Sequence, residues 1–168
     1  MKFPALLPMV IFLGLPLAAQ TPNAPAPAAP APAAAAGSYD FGDYKSSTLT
    51  TKAWQALTAK NYPAVMAYTG KCIDTFKAQA VAQQATLKAP APKDSAFTYW
   101  ALNDVGTCYF IQAKALEAQG NTKDALTDYQ FLANNLSFTQ CWDPQGWFWS
   151  PADAAKTSVA QLQLGAAK

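Results

Sequence analysis

The chain of 168 residues contains neither histidine nor arginine, and it has a single glutamate. Without histidine there is no imidazole base, which excludes catalytic pairs of serine or cysteine with histidine and removes the usual nitrogen ligands of zinc. Without arginine no guanidinium group can hold a phosphate or a guanine through two hydrogen bonds. A net charge of +2 also gives no basic stripe. We therefore expect no metal site, no cofactor and no binding to nucleic acid.

The first 20 residues have the pattern of a secretory signal peptide. Lys2 precedes an apolar run over residues 3–17, which ends in small residues. This run is shorter than the ~20 residues that span a membrane and contains three prolines. We expect cleavage after Ala19 or Gln20, so that the mature protein is periplasmic or extracellular and has no membrane span. A retained anchor is the alternative.

Residues 21–38 form a segment rich in alanine and proline, which we interpret as a disordered linker. Alternating proline and alanine favour an extended polyproline II conformation, at ~3.1 Å per residue. A passive stalk is the interpretation that we favour, and a recognition motif is the alternative. The folded domain then comprises residues 39–168, enough for one hydrophobic core.

That domain shows the apolar period of helices and lacks alternating runs of β-branched residues, so the prediction is an all-α fold. The predicted helices lie at about 47–60, 62–86, 96–119, from 122 onward, and from 151 to just before Gly165. Because the connections are short, neighbouring helices should be antiparallel. The result is a helix-hairpin array of about five helices with a C-terminal capping helix.

Local signals mark the helix ends and the core. Asn61, Thr122 and Ser150 are expected N-caps, and Gly120 is an expected stop. The residues expected to face the core are Leu49, Ala53, Ala56, Leu57, Val65, Thr69, Cys72, Phe76, Ala80, Leu102, Val105, Tyr109, Ala113, Leu116, Ala125, Leu126, Tyr129 and Leu132.

Two helix pairs share a local pattern, in which small residues precede a turn that leads into the second helix. The first copy spans residues 53–65 and the second spans residues 113–129. The pattern resembles the tetratricopeptide repeat, whose small residues let paired helices pack closely. The resemblance implies a stacked helical array that binds other proteins. The chain departs from that family because the copies are about 60 residues apart rather than 34 and no proline ends the repeat.

A closer resemblance covers most of the folded domain. Trp100–Gln112 and Gln140–Trp149 are similar to a family of small exported bacterial tetratricopeptide-like proteins, some of which carry the label beta-glucanase precursor. Glycoside hydrolysis needs two carboxyl groups ~5–10 Å apart across a cleft. Here Glu117 is the only glutamate, and Asp124 and Asp128 are expected on a solvated helix face. We therefore expect no glucanase activity, and no catalysis of another kind.

Export implies an oxidising compartment, where three cysteines can form one disulfide. If the second and third helices are antiparallel, Cys72 and Cys108 lie at the same level, and the fourth helix returns Cys141 close to it. All three pairings remain open. We favour Cys108–Cys141, because this bond would tether an irregular stretch and could stabilise the fold by ~4 kcal/mol. The alternative is three buried thiols.

Five aromatic residues lie within residues 138–149, around the sequence Asp-Pro-Gln-Gly at 143–146, which is typical of a type I turn. The turn predicts that Trp142 and Trp147 lie close together at its two ends. With Trp149 they form a candidate binding loop, since aromatic faces stack on sugars and on apolar side chains of a partner. The alternative is a cap over the last helix pair.

A second candidate surface lies on the third helix, opposite its core stripe. Its members are Trp100, Asn103, Thr107, Phe110 and Lys114. The tetratricopeptide resemblance implies that this stripe lines a groove for a ligand peptide. Burial against the first helix is the alternative.

Three functions are consistent with these features. The first is an exported, non-catalytic helical-repeat module for protein–protein interaction or assembly in the cell envelope. The second is a glycan-binding accessory module that uses Trp142, Trp147 and Trp149. The third is a self-assembling extracellular structural protein, because stacked helix pairs have complementary ends.

Overall fold

The computed structural model describes residues 38–166, in which five α-helices and one β-hairpin account for most of the chain. The helices are α1 (Ser46–Thr58), α2 (Tyr62–Ala85), α3 (Trp100–Ala118), α4 (Thr122–Asn135) and α5 (Pro151–Ala166). The hairpin consists of β1 (Cys141–Asp143) and β2 (Trp147–Trp149). The predicted helical array is confirmed. The expected signal peptide and nearly all of the expected linker lie outside the described residues.

Helix α3 is the central element of the fold, and it contacts each of the other four helices. Twelve of its 19 residues are buried, distributed around the helix rather than along one stripe. Apolar burial on this scale supplies the dominant favourable contribution to folding. The predicted core residues are buried, except for Leu57, Phe76 and Leu126, which are partly exposed. The two expected helix pairs, α1 with α2 and α3 with α4, therefore pack on each other through α3, which also contacts α5.

The helix ends follow the predicted cap chemistry with one correction. The side chain of Asn61 accepts a hydrogen bond from the backbone N–H of Ala64 at 3.3 Å, and Ser150 Oγ accepts one from Asp153 at 3.1 Å. The cap of α4 is Asn121 rather than Thr122, because Thr122 is already the first helical residue. Gly120 has a φ of +76°, a conformation that favours glycine, and it ends α3 as predicted.

Three segments differ from the sequence prediction. Residues Lys93–Tyr99 form a 3₁₀ helix, whereas an α-helix was expected from residue 96. Helix α5 continues through Gly165 instead of ending before it. The expected irregular stretch before α5 contains the β-hairpin. No helix within residues 38–166 has both the length and the apolar content needed to cross a membrane.

The β-hairpin forms around the predicted turn. The backbone N–H of Gly146 donates to the carbonyl of Asp143 at 2.9 Å, and the Asp143 carboxylate accepts from the N–H of Gln145 at 2.8 Å. Gly146 has a φ of +107°, which an L side chain rarely adopts. Aromatic side chains on both sides of the turn favour strands over helix.

Candidate functional site

The register of the hairpin places its tryptophans on different faces. Trp142 pairs with Phe148, and Trp147 pairs with Asp143. Because side chains alternate along a strand, Trp142 and Phe148 share one face, while Trp147 and Trp149 share the other. Trp142 and Trp147 were expected to lie close together at the two ends of the turn, and the register puts their side chains on opposite faces of the hairpin. They belong to neighbouring pairs of the ladder rather than to one pair.

The Trp142 face of the hairpin contacts the 3₁₀ helix through aromatic rings. The ring of Phe97 lies 6.1 Å from that of Trp142 and 5.2 Å from that of Phe148, measured between centroids. Trp142 and Phe148 are 5.0 Å apart in an edge-to-face arrangement. Phe97 remains 64% exposed and Trp142 remains 40% exposed. Trp100, at the start of α3, is also 40% exposed. We call Phe97, Trp100 and Trp142 the aromatic surface.

The opposite face of the hairpin is divided between solvent and the helices. Trp147 is 49% exposed and makes no close ring contact among the described residues. Trp149 packs edge to face on Phe110 of α3 at 5.3 Å, and Phe110 in turn contacts Trp54 of α1 at 6.3 Å. A cavity of about 440 Å³ opens beside these rings. It is lined by Trp54, Cys141, Trp142, Asp143, Pro144 and Trp149.

The candidate stripe on α3 is largely covered. Asn103 and Thr107 are buried, Phe110 is partly buried between α1 and the hairpin, and Lys114 forms an ion pair with Glu117 at 3.0 Å. Of the five members, Trp100 at the start of α3 and Lys114 near its end keep substantially exposed side chains. The alternative, burial of the stripe, is therefore correct for its middle part. The hairpin and α1 together cover that part. The expected open groove is absent there.

Asn103 has a structural role that its position on the stripe did not indicate. Its side-chain Nδ2 donates to the carbonyl of Ala96 at 2.8 Å, and its Oδ1 accepts from the backbone N–H of Gln140 at 2.9 Å. One buried amide thus joins α3 both to the 3₁₀ helix and to the residue that precedes the strand β1. Because buried polar groups need partners, this geometry fixes both segments.

Two glutamines at the end of α2 hold the same segments. Gln83 Oε1 accepts from the N–H of Leu102 at 2.8 Å in the first turn of α3. Gln84 Oε1 accepts from the N–H of Phe138 at 3.0 Å, and its Nε2 donates to Ser137 Oγ at 3.3 Å. No sequence pattern points to either glutamine, because neither lies on an apolar stripe.

Gly106 lets the chain approach α3 closely just before the hairpin. A Cβ atom at this position would overlap the side chain of Thr139. Thr139 is buried, and its Oγ1 donates to the carbonyl of Leu136 at 2.7 Å. A glycine in the middle of a helix is unfavourable by itself, and this was the sequence signal that could have revealed the contact.

Asp104 is an acidic residue beside the aromatic surface, and no sequence pattern pointed to it. It lines a cavity of about 270 Å³ together with Phe97, Trp100, Trp142 and Phe148. An adjoining cavity of about 320 Å³ also includes Asp104 and Trp100. Ser46 Oγ donates to Asp104 Oδ2 at 2.5 Å. Burial raises the pKa of Asp104, and the hydrogen bond from Ser46 opposes this effect.

The three cysteines are free thiols in the structure, so the favoured Cys108–Cys141 disulfide is not formed. Cys72 and Cys108 are buried in the core between α2 and α3, as the alternative had them, whereas Cys141 is only partly buried. Cys108 Sγ lies 3.3 Å from Thr50 Oγ1. Burial raises the pKa of both Cys108 and Cys141, which keeps the thiols protonated and lowers their reactivity.

The two aspartates of α4 are not equivalent, which corrects the expected solvated face. Asp124 is exposed, but Asp128 is half-buried, and its Oδ2 has no hydrogen-bond partner among the described residues. Burial raises the pKa of Asp128 to about 6. Glu117 is used structurally, since it accepts a hydrogen bond from Tyr129 at 2.8 Å. The part of the chain that the structure describes contains no cluster of acidic or cysteine side chains suited to a metal ion.

Comparisons of the chain with protein-family models, with curated proteins and with solved structures give no significant match.

Proposed function

We propose that the protein is an exported, non-catalytic helical module that binds a partner protein through the aromatic surface of Phe97, Trp100 and Trp142. The observation that supports this proposal is the joint exposure of these three large side chains at one end of α3. Contiguous exposed apolar groups are typical of interaction sites, and tryptophan is enriched among the residues that dominate binding energy.

The anchoring of the surface favours binding. Asn103 and Gln83 hold the 3₁₀ helix against α2 and α3, while Asn103 and Gln84 hold the approach to the hairpin. A surface that is already ordered loses less conformational entropy when a partner binds. If the aromatic residues only capped the helices, their rings would be covered rather than exposed. The covered rings would then hold these segments in place, and the polar anchoring would not be needed.

The location and the absence of catalysis are proposed from the sequence. The apolar N-terminal run favours export, and the Ala/Pro segment would hold the domain away from its attachment point. The chain has no histidine, and its carboxyl groups are not paired in the sequence. The packing of the pair α1–α2 against the pair α3–α4 supports the proposed likeness to tetratricopeptide modules, which act through their surfaces.

Site-specific crosslinking in intact cells that export the full chain tests this proposal. A photoreactive phenylalanine at position 97 should crosslink to one partner protein. The same group at Lys123, which is exposed and follows the opposite end of α3, should not. The purified partner should then bind the parent protein, and Trp142→Ala should weaken this binding at least tenfold. Trp147→Ala is the matched control, because Trp147 lies on the other face of the same hairpin.

Crosslinking of equal yield at both positions would contradict the proposal. So would a Trp142→Ala variant that binds the purified partner as tightly as the parent protein does. A crosslink between two copies of the chain would instead identify self-assembly.

A second candidate function, glycan binding, is favoured by the cavity of about 440 Å³ beside Asp143. Three of its lining residues are tryptophans, namely Trp54, Trp142 and Trp149. Tryptophan faces suit the apolar faces of sugar rings, and a neighbouring carboxylate can accept hydrogen bonds from hydroxyl groups. Soluble glucans should then change the tryptophan fluorescence of the protein, and Trp149→Phe should reduce the change. Unchanged fluorescence at millimolar glucan would exclude this function.

A further inference from the structure

Asp104 lines the cavity beside the aromatic surface, and its carboxylate has no opposite charge paired with it. Ser46 donates a hydrogen bond to Oδ2, whereas Oδ1 receives no hydrogen bond and neither oxygen forms an ion pair within residues 38–166. Desolvation of a carboxylate is costly unless a cation or several hydrogen bonds compensate it. The hydroxyl group of Ser46 therefore compensates only part of the desolvation of this carboxylate.

The nearest lysines do not provide the missing charge. Lys45 lines the adjoining cavity, but its Nζ pairs with the carboxylate of Asp43 at 2.9 Å. Lys93 Nζ lies 5.6 Å from the ring centroid of Trp142 and does not line the cavity of Asp104. The position of Lys93 nevertheless shows that the ring of Trp142 accepts an ammonium group.

The rest of the cavity wall is aromatic and polar but uncharged. Phe97, Trp100, Trp142 and Phe148 line it together with Asp104, and Phe76 extends the wall into the adjoining cavity, 5.6 Å from Trp100. The negative faces of aromatic rings attract cations, most strongly when the cation is a weakly hydrated organic ammonium. A volume of about 270 Å³ lies at the lower end of the range for small-molecule sites. The cavity is therefore suited to a head group rather than to a large ligand.

We propose that this cavity binds an alkylammonium group, with the carboxylate of Asp104 as counter-charge and the rings of Trp100 and Trp142 as walls. A hard metal ion would need several oxygen ligands, whereas the cavity offers one carboxylate among rings. A neutral sugar could donate hydrogen bonds to the carboxylate but would supply no opposite charge. This inference rests on the proposal that the aromatic surface binds ligands, but its test requires no partner protein, so the failure of one can be distinguished from the failure of the other.

Calorimetric titration of the purified mature protein tests the proposal with defined probes. Choline should bind, and 3,3-dimethylbutanol, its neutral isostere, should bind at least tenfold more weakly. A lysine derivative with a blocked backbone, Nα-acetyl-lysine methylamide, tests whether the ammonium group belongs to a partner's side chain. Tighter binding of this derivative than of choline would assign the site to a lysine of a partner, and tighter binding of choline would assign it to a free cation.

Matched variants separate a specific site from loss of structure. Asp104→Asn keeps the size of the side chain and should weaken choline binding about tenfold, while Asp128→Asn, which removes a half-buried carboxylate elsewhere, should not weaken it. Trp142→Ala should weaken it severalfold, and Trp147→Ala should not. Circular dichroism and thermal unfolding verify that each variant is folded.

Three results would overturn the proposal. The first is no heat of binding and no spectral change with choline and with the lysine derivative at millimolar concentration. The second is equal affinity for choline and its neutral isostere. The third is unchanged choline affinity in a folded Asp104→Asn variant.

Discussion

The helical part of the molecule and its aromatic end are held together by different interactions. Around α3 the contacts are those of apolar and small side chains, which the periodicity of the sequence predicts. At the aromatic end, the buried amide of Asn103 and the partly buried amides of Gln83 and Gln84 hold the 3₁₀ helix and the segment before the hairpin, and the large rings remain partly exposed. Because hydrogen bonds from amide side chains hold these segments in place, the apolar side chains at this end remain available for a ligand.

Among the substitutions that compare the aromatic end with the helical part, Gly106→Ala has the largest expected effect. A methyl group at this position would overlap Thr139 and displace the segment that leads into the hairpin. We expect a loss of about 2–3 kcal/mol in the free energy of unfolding, the usual cost of overpacking. Urea denaturation measures this loss, and near-ultraviolet circular dichroism reports the tryptophans.

Gly70→Ala is the matched control in the helical part. Gly70 lies within α2, and no atom is close to the added methyl group. We expect a gain of about 0.5–1 kcal/mol, because alanine favours the helix over glycine. Equal effects of the two substitutions would show that Thr139 does not pack on α3 as the structure has it.

Asn103→Ala should release the aromatic end while leaving the helices folded. The carbonyl of Ala96 and the N–H of Gln140 would lose their partner, at a cost of about 1–3 kcal/mol. Hydrogen exchange should accelerate at the amide of Gln140 and remain slow in the middle of α3. Asn135→Ala, which removes an exposed amide from α4, is the control and should change neither. Faster exchange throughout α3 would refute separate fastening of the two regions.

Asp128 should make the helical part weaken as the pH rises. Its pKa is raised to about 6 in the folded protein from 3.8, so the folded state holds more protons than the unfolded state between these values. Stability from this group is therefore complete below about pH 4 and is lost as the pH rises through 6. Asp128→Asn should raise the stability at pH 7 by about 1 kcal/mol, since solvent screens part of the effect.

Thermal unfolding at pH 4, 5, 6 and 7 measures this dependence. Asp124→Asn serves as the control, because Asp124 is exposed on the same helix. Parallel pH profiles of stability in the parent protein and the Asp128→Asn variant would contradict the assignment of this pH dependence to Asp128.

The smallest effect is expected from thiol labelling, which should leave stability almost unchanged. Cys141 is partly buried at the aromatic end, whereas Cys72 and Cys108 are buried in the core. We expect a disulfide reagent to modify Cys141 slowly in the folded protein and all three cysteines after denaturation. A single reactive thiol after denaturation would instead reveal a disulfide, and peptide mapping would test the pairing of Cys108 with Cys141.

Much of the helical part was predictable because short-range sequence patterns determine where its helices form. Leu49, Leu102 and Tyr129 recur on apolar faces, and Asn61 and Ser150 mark helix starts through local hydrogen bonds. Such signals depend on neighbours within a few residues, so a single sequence contains them.

The aromatic end was predicted only in part. The turn at residues 143–146 was expected from its own sequence, but the separation of Trp142 from Trp147 depends on the strand register. The contact between Gly106 and Thr139, and the hydrogen bond from Gln140 to Asn103, join residues that are more than 30 positions apart. No periodicity signals such contacts.

The sequence alone determined that the described chain is mostly helical and identified many of the side chains that face its core, since helix periodicity and capping are local. The low content of charge and the lack of histidine and arginine also follow from it. Only the tertiary structure decided that Asn103 is buried, that Trp142 faces Phe97, and that the carboxylate of Asp104 lies among aromatic rings. These features arise where α3, the 3₁₀ helix and the hairpin meet, and long-range packing rather than local preference sets that geometry.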